Sequence, residues 1–451
     1  MAASIHARAR EVNVDGGAVV LIDLADAEPG TAGGKAAALA RLLEAGLPVP
    51  PGFVVPVSAY EQAVAGLDLP GTGAVRALPG LSPALTDEVA RALTRVTGDG
   101  YVAVRSSATG EDTAEATAAG QHDTFLGVRG PAQVADAVRG CWASLWSERA
   151  VEYRRRQAAA DAPAIAVLVQ RLVDADVAGV MFTGADVRVE ASWGLGESVV
   201  GGRVTPDSWT VSGGTVTRRT LGTKRTRVDR DHARVITRDV EPADRARFCL
   251  TDEEVTRLAR IGRGTADLLG GPQDIEWAIT GSRLWILQAR PVTSPLPAGT
   301  TAAADPAGEG TGTVRTGVPG SPGCAVGPVR VVRGPGDFGR VRSGDVLVCR
   351  TTDPAWTPLF GVVAAVVTET GGLLSHAAIV ARELGLPAVL ALEDATTVLP
   401  EGATAEVDGS TGQVALLAPD MRKGPSEIRE APGQQPIRKC AARDSNPGPA
   451  D

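Results

Sequence analysis

The chain has 451 residues and a formal net charge of −8, with 43% hydrophobic and 22% charged residues. That length is sufficient for roughly two or three domains, and the negative charge argues against a nucleic-acid-binding surface, which needs a basic stripe. No apolar run approaches a membrane span, the amino terminus lacks the apolar core of a signal peptide, and the cysteines form no CxxC pair that would suggest zinc. We therefore expect a cytoplasmic protein with no nucleic-acid or membrane partner.

Composition divides the chain into five segments. Residues 1–19 are an N-terminal extension, and residues 20–293 alternate helical patterns with short Val-rich strands, which predicts a mixed α/β domain. Residues 294–317 are rich in Pro, Gly, Ala and Thr and are predicted to form a flexible linker. Residues 318–418 form a second compact region of strand-like segments around one helix, and residues 419–451 are polar, Pro-rich and predicted to be disordered.

Two segments of the first region carry groups that suit phosphate. GTAGGKAAALARLL places Lys35 after two glycines at a helix start, where backbone N–H groups and an ammonium can meet phosphate. The turn lacks the Walker A pattern, and a surface turn with an ordinary lysine fits equally well. In YVAVRSSATGED, Arg105 ends a strand before a hydroxyl-rich loop that could close over phosphate oxygens, although a solvated loop is the alternative.

The segment GPQDIEWAITGSRLWILQARPVT contains two strand-like runs with alternating polarity. On neighbouring strands, the Glu276 carboxylate and the Gln288 amide oxygen could both face a Mg²⁺ ion that bridges nucleotide phosphates, with Arg290 beside them. The same periodicity also fits the solvent-exposed face of a hairpin, so the residues alone leave both interpretations open.

The segment TETGGLLSHAAIVARELGLPAVL carries one of the four histidines of the chain. Ser375 is a good N-cap candidate, which places His376 in the first turn of a helix, where the backbone favours an anion. Gly371 and Gly372 permit close approach of backbone to a ligand. Thr368 and Ser375 add hydroxyls, and a neutral imidazole can act as a nucleophile near pH 7. A histidine that only packs beside a helix cap explains the pattern about as well.

The histidine segment resembles the phosphohistidine signature of the phosphoenolpyruvate-utilising enzymes, and His376 falls on its phosphorylated histidine. The resemblance continues through GVPGSPGCAVGPVRVV, GDVLVCRTTDPAWTPLF and EVDGSTGQV. The first region resembles the ATP-binding domain of phosphoenolpyruvate synthase, pyruvate phosphate dikinase and rifampicin phosphotransferase, including VLVQRLVDADVAGVMFT and EASWGLGESVVGGRVTPDSW. The implied fold class is α/β (α+β), with an ATP-grasp nucleotide-binding domain followed by a compact β/β/α phosphohistidine swivelling domain.

This resemblance also implies roles for individual residues. His376 and Arg290 are the expected catalytic residues, and Glu276 and Gln288 the expected Mg²⁺ ligands. The expected ATP-binding residues are Lys35, Arg105, Thr124, Gln170, Leu172, Glu276, Gln288 and Arg290, where Gln170 and Leu172 belong to the adenine hinge. Thr368, Gly371, Gly372 and Ser375 form the expected phosphohistidine loop.

The resemblance implies an ATP-dependent dikinase of the EC 2.7.9 type, which phosphorylates its own histidine from the β-phosphate of Mg·ATP and releases AMP and phosphate. The acceptor, pyruvate-like or another small molecule, cannot be read from the sequence, because neither the barrel domain nor the helical domain of the relatives is recognisable here. We therefore expect a separate acceptor subunit. The alternatives are a stand-alone antibiotic or small-molecule phosphotransferase and a non-catalytic phosphocarrier or regulatory module. Relatives are often dimeric, which makes a homodimer a candidate state.

Overall fold

The computed structural model describes residues 19–65, 75, 81–108, 124–147, 150–151, 164–232, 234–294, 296 and 314–417. Residues 1–18 of the predicted N-terminal extension, most of the predicted linker and the predicted disordered tail lie outside these ranges. Strand β14, Val314–Thr316, falls within the last residues assigned to the linker and pairs with the second region. The described second region therefore begins at Val314.

A five-stranded sheet forms the first part of the molecule, with strand order β1-β2-β5-β3-β4. Its central strand β5 is buried from Ile165 to Gln170 because both faces are covered. One face packs on α2, α3 and α4, and the other on α1. The bounds are β1 Ile22–Asp23, β2 Gly52–Val55, β3 Val102–Ala108, β4 Thr124–Val128, β5 Ile165–Arg171, α1 Pro29–Glu44, α2 Val57–Val64, α3 Pro83–Thr97 and α4 Gly130–Ser144.

A six-stranded antiparallel sheet follows, with strand order β13-β12-β6-β7-β8-β9, accompanied by the hairpin β10–β11. Helix α7 covers one face and begins with a capping box between Thr251 and Glu254, which satisfies the free N–H groups of its first turn. The bounds are β6 Val177–Phe182, β7 Val187–Trp193, β8 Asp207–Ser212, β9 Thr215–Thr220, β10 Thr226–Asp231, β11 Arg234–Asp239, β12 Gln273–Thr280, β13 Arg283–Pro291, α5 Glu197–Val200, α6 Pro242–Arg245 and α7 Asp252–Leu269.

The six-stranded sheet has one apolar face and one face with polar groups. Ile275, Trp277 and Ile279 of β12 point into the core shared with α1 and α7. Alternation along the strand therefore turns Glu276 to the opposite face. On that face Gln288, Glu276, Val180 and Glu190 are successive cross-strand partners on β13, β12, β6 and β7. We call these four residues the acidic row.

The second region is built on an eight-stranded sheet with order β14-β21-β20-β16-β17-β18-β19-β15, in which β16 to β19 run parallel. The chain leaves β18 at Thr368, crosses the phosphohistidine loop and enters α9 at His376. The bounds are β15 Val318–Ser321, β16 Cys324–Val331, β17 Val346–Cys349, β18 Ala365–Thr368, β19 Ala388–Leu390, β20 Thr404–Asp408, β21 Gln413–Leu416, α8 Thr357–Phe360, α9 His376–Glu383 and α10 Ala395–Val398.

The second region is docked on the polar face of the six-stranded sheet. An apolar cluster joins Val180, Phe182 and Val204 of the first region to Leu374 and Ile379 of the second. This contact brings the phosphohistidine loop to the acidic row. Among the described residues, no helix combines the length and apolar character needed to cross a membrane.

Candidate active site

The acidic row places two predicted site residues side by side. Glu276 is the cross-strand partner of Gln288, and Asp274 is the partner of Arg290 two residues along the same strands. The pairing shifts between Glu276 and Trp277, so this end of the hairpin carries a local irregularity. The strand prediction from alternating polarity is therefore confirmed, and it presents a carboxylate, an amide and a guanidinium on one surface.

Arg105 reaches this surface from the five-stranded sheet. Its Nη2 donates to Glu276 Oε2 at 2.8 Å and to Gln288 Oε1 at 2.7 Å, while Nη1 donates to the Leu287 carbonyl at 2.9 Å. Thr124 is the cross-strand partner of Arg105 on β4. The structure thus joins Arg105, 171 residues before Glu276 in the chain, to the hairpin, and Thr124 lies beside Arg105 on β4.

Lys35 approaches from a kinked helix. Gly33 has φ +77°, and a Cβ there would lie 2.0 Å from the Ser107 carbonyl oxygen, so only glycine allows α1 to pass so close to β3. Two hydrogen bonds then fix the turn: Lys35 Nζ donates to the Ser106 carbonyl at 2.8 Å, and the Ala36 N–H donates to Ser107 Oγ at 3.2 Å. Lys35 is buried and its charge acts on Glu276.

The charges at this surface are strongly coupled. Burial acts to raise the pKa of Glu276, but the positive charges of Arg105 and Arg290 outweigh it and lower that pKa. Burial raises the pKa of Asp274, although Arg290 donates to Asp274 Oδ2 from Nε at 2.9 Å. Within the described ranges Asp274 Oδ1 is buried without a hydrogen-bond partner, which is costly unless a ligand satisfies it. The surface therefore combines fixed positive charge with carboxylate oxygens.

The donor set fits a magnesium ion. Glu276 Oε2 and Gln288 Oε1 converge on the same Arg105 nitrogen, so a carboxylate and an amide oxygen point at one place. Mg²⁺ uses one or two such oxygens and takes the others from water and substrate phosphates. Across the part of the chain that the structure describes, no group of three or more His, Cys, Asp or Glu is arranged to hold a metal.

The two predicted adenine-hinge residues lie at the end of β5, next to β3. Gln170 is the cross-strand partner of Ala103, so it shares a sheet face with Arg105. Its Nε2 donates to the Pro50 carbonyl at 3.0 Å, and the Leu172 N–H donates to the Tyr101 carbonyl at 2.9 Å. Both donors are thus used within the protein, and their role toward adenine remains a prediction.

The phosphohistidine loop is stabilised by its own hydroxyls. Ser375 occupies the N-cap position of α9 and His376 is the first helical residue, as predicted. The Ser375 hydroxyl nevertheless makes no capping bond and donates to the Gly372 carbonyl at 2.8 Å. Thr368 Oγ1 donates to the Thr370 carbonyl at 2.6 Å. Both hydroxyls therefore fix the loop conformation, and His376, only 6% exposed, is buried in the docked state.

Three charged residues of this surface were not predicted as site residues, namely Asp274, Glu190 and Arg382. Asp274 precedes Glu276 by two residues, so strand alternation already placed it on the same face. Glu190 is a lone acid in the otherwise buried stretch VEASW of β7, and a carboxylate in such a stretch needs a partner. For Arg382 the only signal was its position on α9, six residues after His376.

Comparison with known proteins adds independent findings. A family model described as the pyruvate phosphate dikinase AMP/ATP-binding domain matches residues 79–307, and one described as the mobile domain of PEP-utilising enzymes matches residues 341–412. A probable phosphoenolpyruvate synthase of Methanothermobacter thermautotrophicus is 39% identical over 437 residues, covering 87% of this chain and 62% of that protein.

Other relatives cover smaller parts of their own length. The phosphoenolpyruvate synthase of Pyrococcus furiosus is 34% identical over 461 residues, which cover 85% of this chain and 56% of that protein. The prodigiosin synthesizing transferase of Serratia marcescens is 43% identical over 286 residues, covering 59% of this chain and 32% of that protein. The chain thus spans 62% or less of the length of these curated relatives.

Proposed function

Because this chain belongs to the pyruvate phosphate dikinase and phosphoenolpyruvate synthase family, we propose that it transfers the β-phosphate of ATP to His376 and then to an acceptor. The observation that carries the proposal is the docking of the loop before His376 on the sheet face with Glu276, Gln288 and Arg290. Two regions far apart in the chain are thereby joined at one charged surface.

The proposed chemistry begins at the imidazole. Its unprotonated nitrogen attacks the β-phosphorus, the bond from that phosphorus to the α,β-bridging oxygen breaks, and AMP leaves with this oxygen. The ring proton on the other nitrogen passes to water, and the histidine carries a pyrophosphoryl group. Water then attacks the terminal phosphorus, releasing inorganic phosphate and leaving phosphohistidine, from which the acceptor takes the phosphoryl group.

The residues of the site supply charge and position. Arg105, Arg290 and Lys35 are the cations that would balance negative charge on the phosphates during transfer, and holding the reactants in line supplies most of the catalysis. Glu276 and Gln288 would hold Mg²⁺, which neutralises phosphate charge when bound. Arg105 would then exchange its bonds to these two oxygens for bonds to phosphate, as a guanidinium readily does.

Delivery of the phosphate requires movement of the second region. In the docked state His376 is buried, so an external acceptor cannot reach it. We propose that the second region moves away from the first to expose His376. We propose that a separate subunit binds the acceptor. Pyruvate is the first acceptor to test.

The decisive experiment is a single-turnover incubation with Mg²⁺ and β-³²P-labelled ATP. We expect wild-type protein to release AMP and to retain acid-labile label, and His376→Ala to retain none. His232→Ala is the matched control, because His232 has a side chain that is 94% exposed on the hairpin β10–β11. Label retained by His376→Ala, or no label in wild type, would contradict the proposal. A chase with pyruvate then tests the acceptor.

A further inference from the structure

Glu190 is a buried carboxylate with no assigned role. It is 4% exposed and lies in the acidic row, with Val180 between it and Glu276. Adjacent strands are about 4.8 Å apart, so Glu190 is roughly 10 Å from Glu276 along the row. It is therefore close enough to the candidate active site to influence what docks there.

Both oxygens of Glu190 accept hydrogen bonds from the phosphohistidine loop. The Leu373 N–H donates to Oε1 at 2.7 Å and the Leu374 N–H donates to Oε2 at 3.1 Å. These donors come from the second region, 183 and 184 residues further along the chain. One side chain of the first region thus holds two successive amides of the loop that leads to His376.

This contact explains a glycine of the loop. A Cβ at Gly372 would lie 2.2 Å from Glu190 Oε2, well inside van der Waals contact. The neighbouring Gly371 donates its N–H to the Val204 carbonyl at 3.1 Å and has φ +114°, a conformation that favours glycine. The close approach predicted for a ligand is therefore made, in this structure, to the first region.

Arg382 holds the loop from the other side. Its Nη1 donates to the carbonyls of Leu373 and Gly320, each at 2.9 Å. Its Nε and Nη2 are buried without hydrogen-bond partners among the described residues, and its charge acts on Glu190 and Asp274. A cation carried by the mobile region is thus placed among the carboxylates of the first region.

We propose that Glu190 is the docking residue of the phosphohistidine loop, a positioning residue that holds Leu373 and Leu374 so that His376 meets the nucleotide. This inference rests on the proposed function for its consequence in catalysis, but docking itself can be measured without it. Arg382 completes the contact as the opposite charge brought by the second region.

The contact is suited to reversible docking. The carboxylate gives up water when the loop arrives, and its two new hydrogen bonds compensate for that loss only in part. Burial raises the pKa of Glu190 to about 7, against the opposing effects of the two amides and of Arg382 and Arg188. Because burying the Glu190 carboxylate is unfavourable, the docked contact can dissociate again, and a domain that moves between two positions needs such a contact.

Docking is tested by hydrogen exchange of the peptide that contains Leu373 and Leu374, measured on the full chain. In wild type these amides should be protected. Glu190→Ala removes both acceptors, so we expect their exchange to be at least about tenfold faster. Glu190→Gln keeps one acceptor oxygen and resembles the protonated carboxyl, so its exchange should stay closer to wild type than that of Glu190→Ala. Glu253→Gln, an exposed site on α7, is the matched control and should behave as wild type.

The same variants are then charged with labelled ATP. We expect Glu190→Ala to label His376 at least about tenfold more slowly with an unchanged KM for ATP. Unchanged loop exchange in Glu190→Ala and Glu190→Gln would overturn the proposal, and so would faster exchange with normal labelling. Faster exchange in a protein whose wild type takes no label would leave docking supported and contradict the proposed function instead.

Discussion

Glu276 and Glu190 lie in one cross-strand row of the same sheet, yet their surroundings move their pKa values in opposite directions. Burial opposes ionisation at both, but Glu276 has Arg105 in direct contact, and the positive charges around it lower its pKa. Glu190 is bonded to two backbone amides and its pKa is raised to about 7. At Glu276 the guanidinium of Arg105 from the same region outweighs burial, whereas at Glu190 burial outweighs the two amides that the second region brings.

This difference separates chemistry from docking. Glu276 is hydrogen-bonded to Arg105 within the first region, and the positive charges that lower its pKa, Arg105, Arg290 and Lys35, also belong to that region. Every hydrogen-bond partner of Glu190 comes from the second region among the described contacts. We therefore expect Glu276 variants to lose AMP release while the loop stays docked, and Glu190 variants to lose docking of the loop.

The largest effect is expected for Glu276→Ala. It removes the proposed Mg²⁺ ligand and the carboxylate that Arg105 contacts, so single-turnover AMP release should fall by about 10²–10³-fold or more. Hydrogen exchange of the phosphohistidine loop should stay as in wild type, because Glu276 makes no contact with the loop among the described bonds. Normal AMP release by Glu276→Ala would show that Glu276 does not bind Mg²⁺. Faster exchange of the phosphohistidine loop in this variant would show that Glu276, like Glu190, is needed for docking.

Gly372→Ala should have the next largest effect. The new methyl would collide with Glu190 Oε2, and overpacking of this kind costs about 1–3 kcal/mol. Gly372 has no positive φ, so alanine introduces no backbone strain of its own. We expect the equilibrium constant for docking to fall by about ten- to hundredfold, measured by hydrogen exchange of the phosphohistidine loop.

A double-mutant cycle isolates the collision. In a Glu190→Ala background the carboxylate is gone, so adding Gly372→Ala should cost little more, with a coupling energy within about 0.5–3 kcal/mol. Gly336→Ala is the control, because nothing lies within 4 Å of a Cβ there. Additive effects of the two substitutions would mean that Gly372 and Glu190 do not meet in solution.

These glycines also show how far the sequence could lead. Alternating polarity sufficed to predict the strands that carry Glu276 and Gln288, and the N-cap pattern sufficed for the start of α9 at His376, because both depend on neighbours in the chain. The reason for Gly372 was not accessible, since its contact is a carboxylate 182 residues earlier, across a domain interface. A glycine pair alone predicts a close approach without saying to what.

The hydroxyls of the loop illustrate the same limit. Thr368 and Ser375 were predicted to lie near a bound phosphate; Thr368 ends β18, and Ser375 directly precedes His376. Their hydrogen bonds go to backbone carbonyls of the loop itself. Local side-chain to backbone bonds compete with ligand contacts for such residues, and composition cannot decide that competition.

Docking should weaken as pH rises. Burial raises the pKa of Glu190 to about 7 in the docked state, and we expect this pKa to fall toward the ordinary carboxyl value of about 4.3 when the second region leaves and water returns. The docked state therefore binds the proton more tightly, so its advantage is complete below the ordinary pKa and is lost as pH rises through about 7. Between pH 6 and 8 the docking constant should fall by about tenfold.

Two arginines also act on the charge of Glu190. Arg188 lies on the same strand and Arg382 comes from α9, with its pKa lowered by burial only to about 10, so both stay charged. The charges of Asp274 on β12 and Arg382 interact, and burial also raises the pKa of Asp274. Ionisation of Asp274 should therefore weaken docking as pH rises, as ionisation of Glu190 does. Loop exchange measured from pH 6 to 8, corrected for the intrinsic exchange rate, should show the trend in wild type and lose most of it in Glu190→Gln. If exchange depends on pH equally in wild type and in Glu190→Gln, a group other than Glu190 causes the pH dependence.

The smallest effect is expected at an ion pair between the same two regions that is exposed to solvent. Arg225 of the first region pairs with Glu393 of the second, and their side chains are 61% and 63% exposed. Water already solvates both charges, so their pairing gains little and salt screens it further. Arg225→Ala should change docking by less than about 1 kcal/mol, measured by loop exchange at low and at about 0.5 M salt. An effect as large as that of Glu190→Ala would mean that exposed charge, rather than the buried carboxylate, holds the phosphohistidine loop in place.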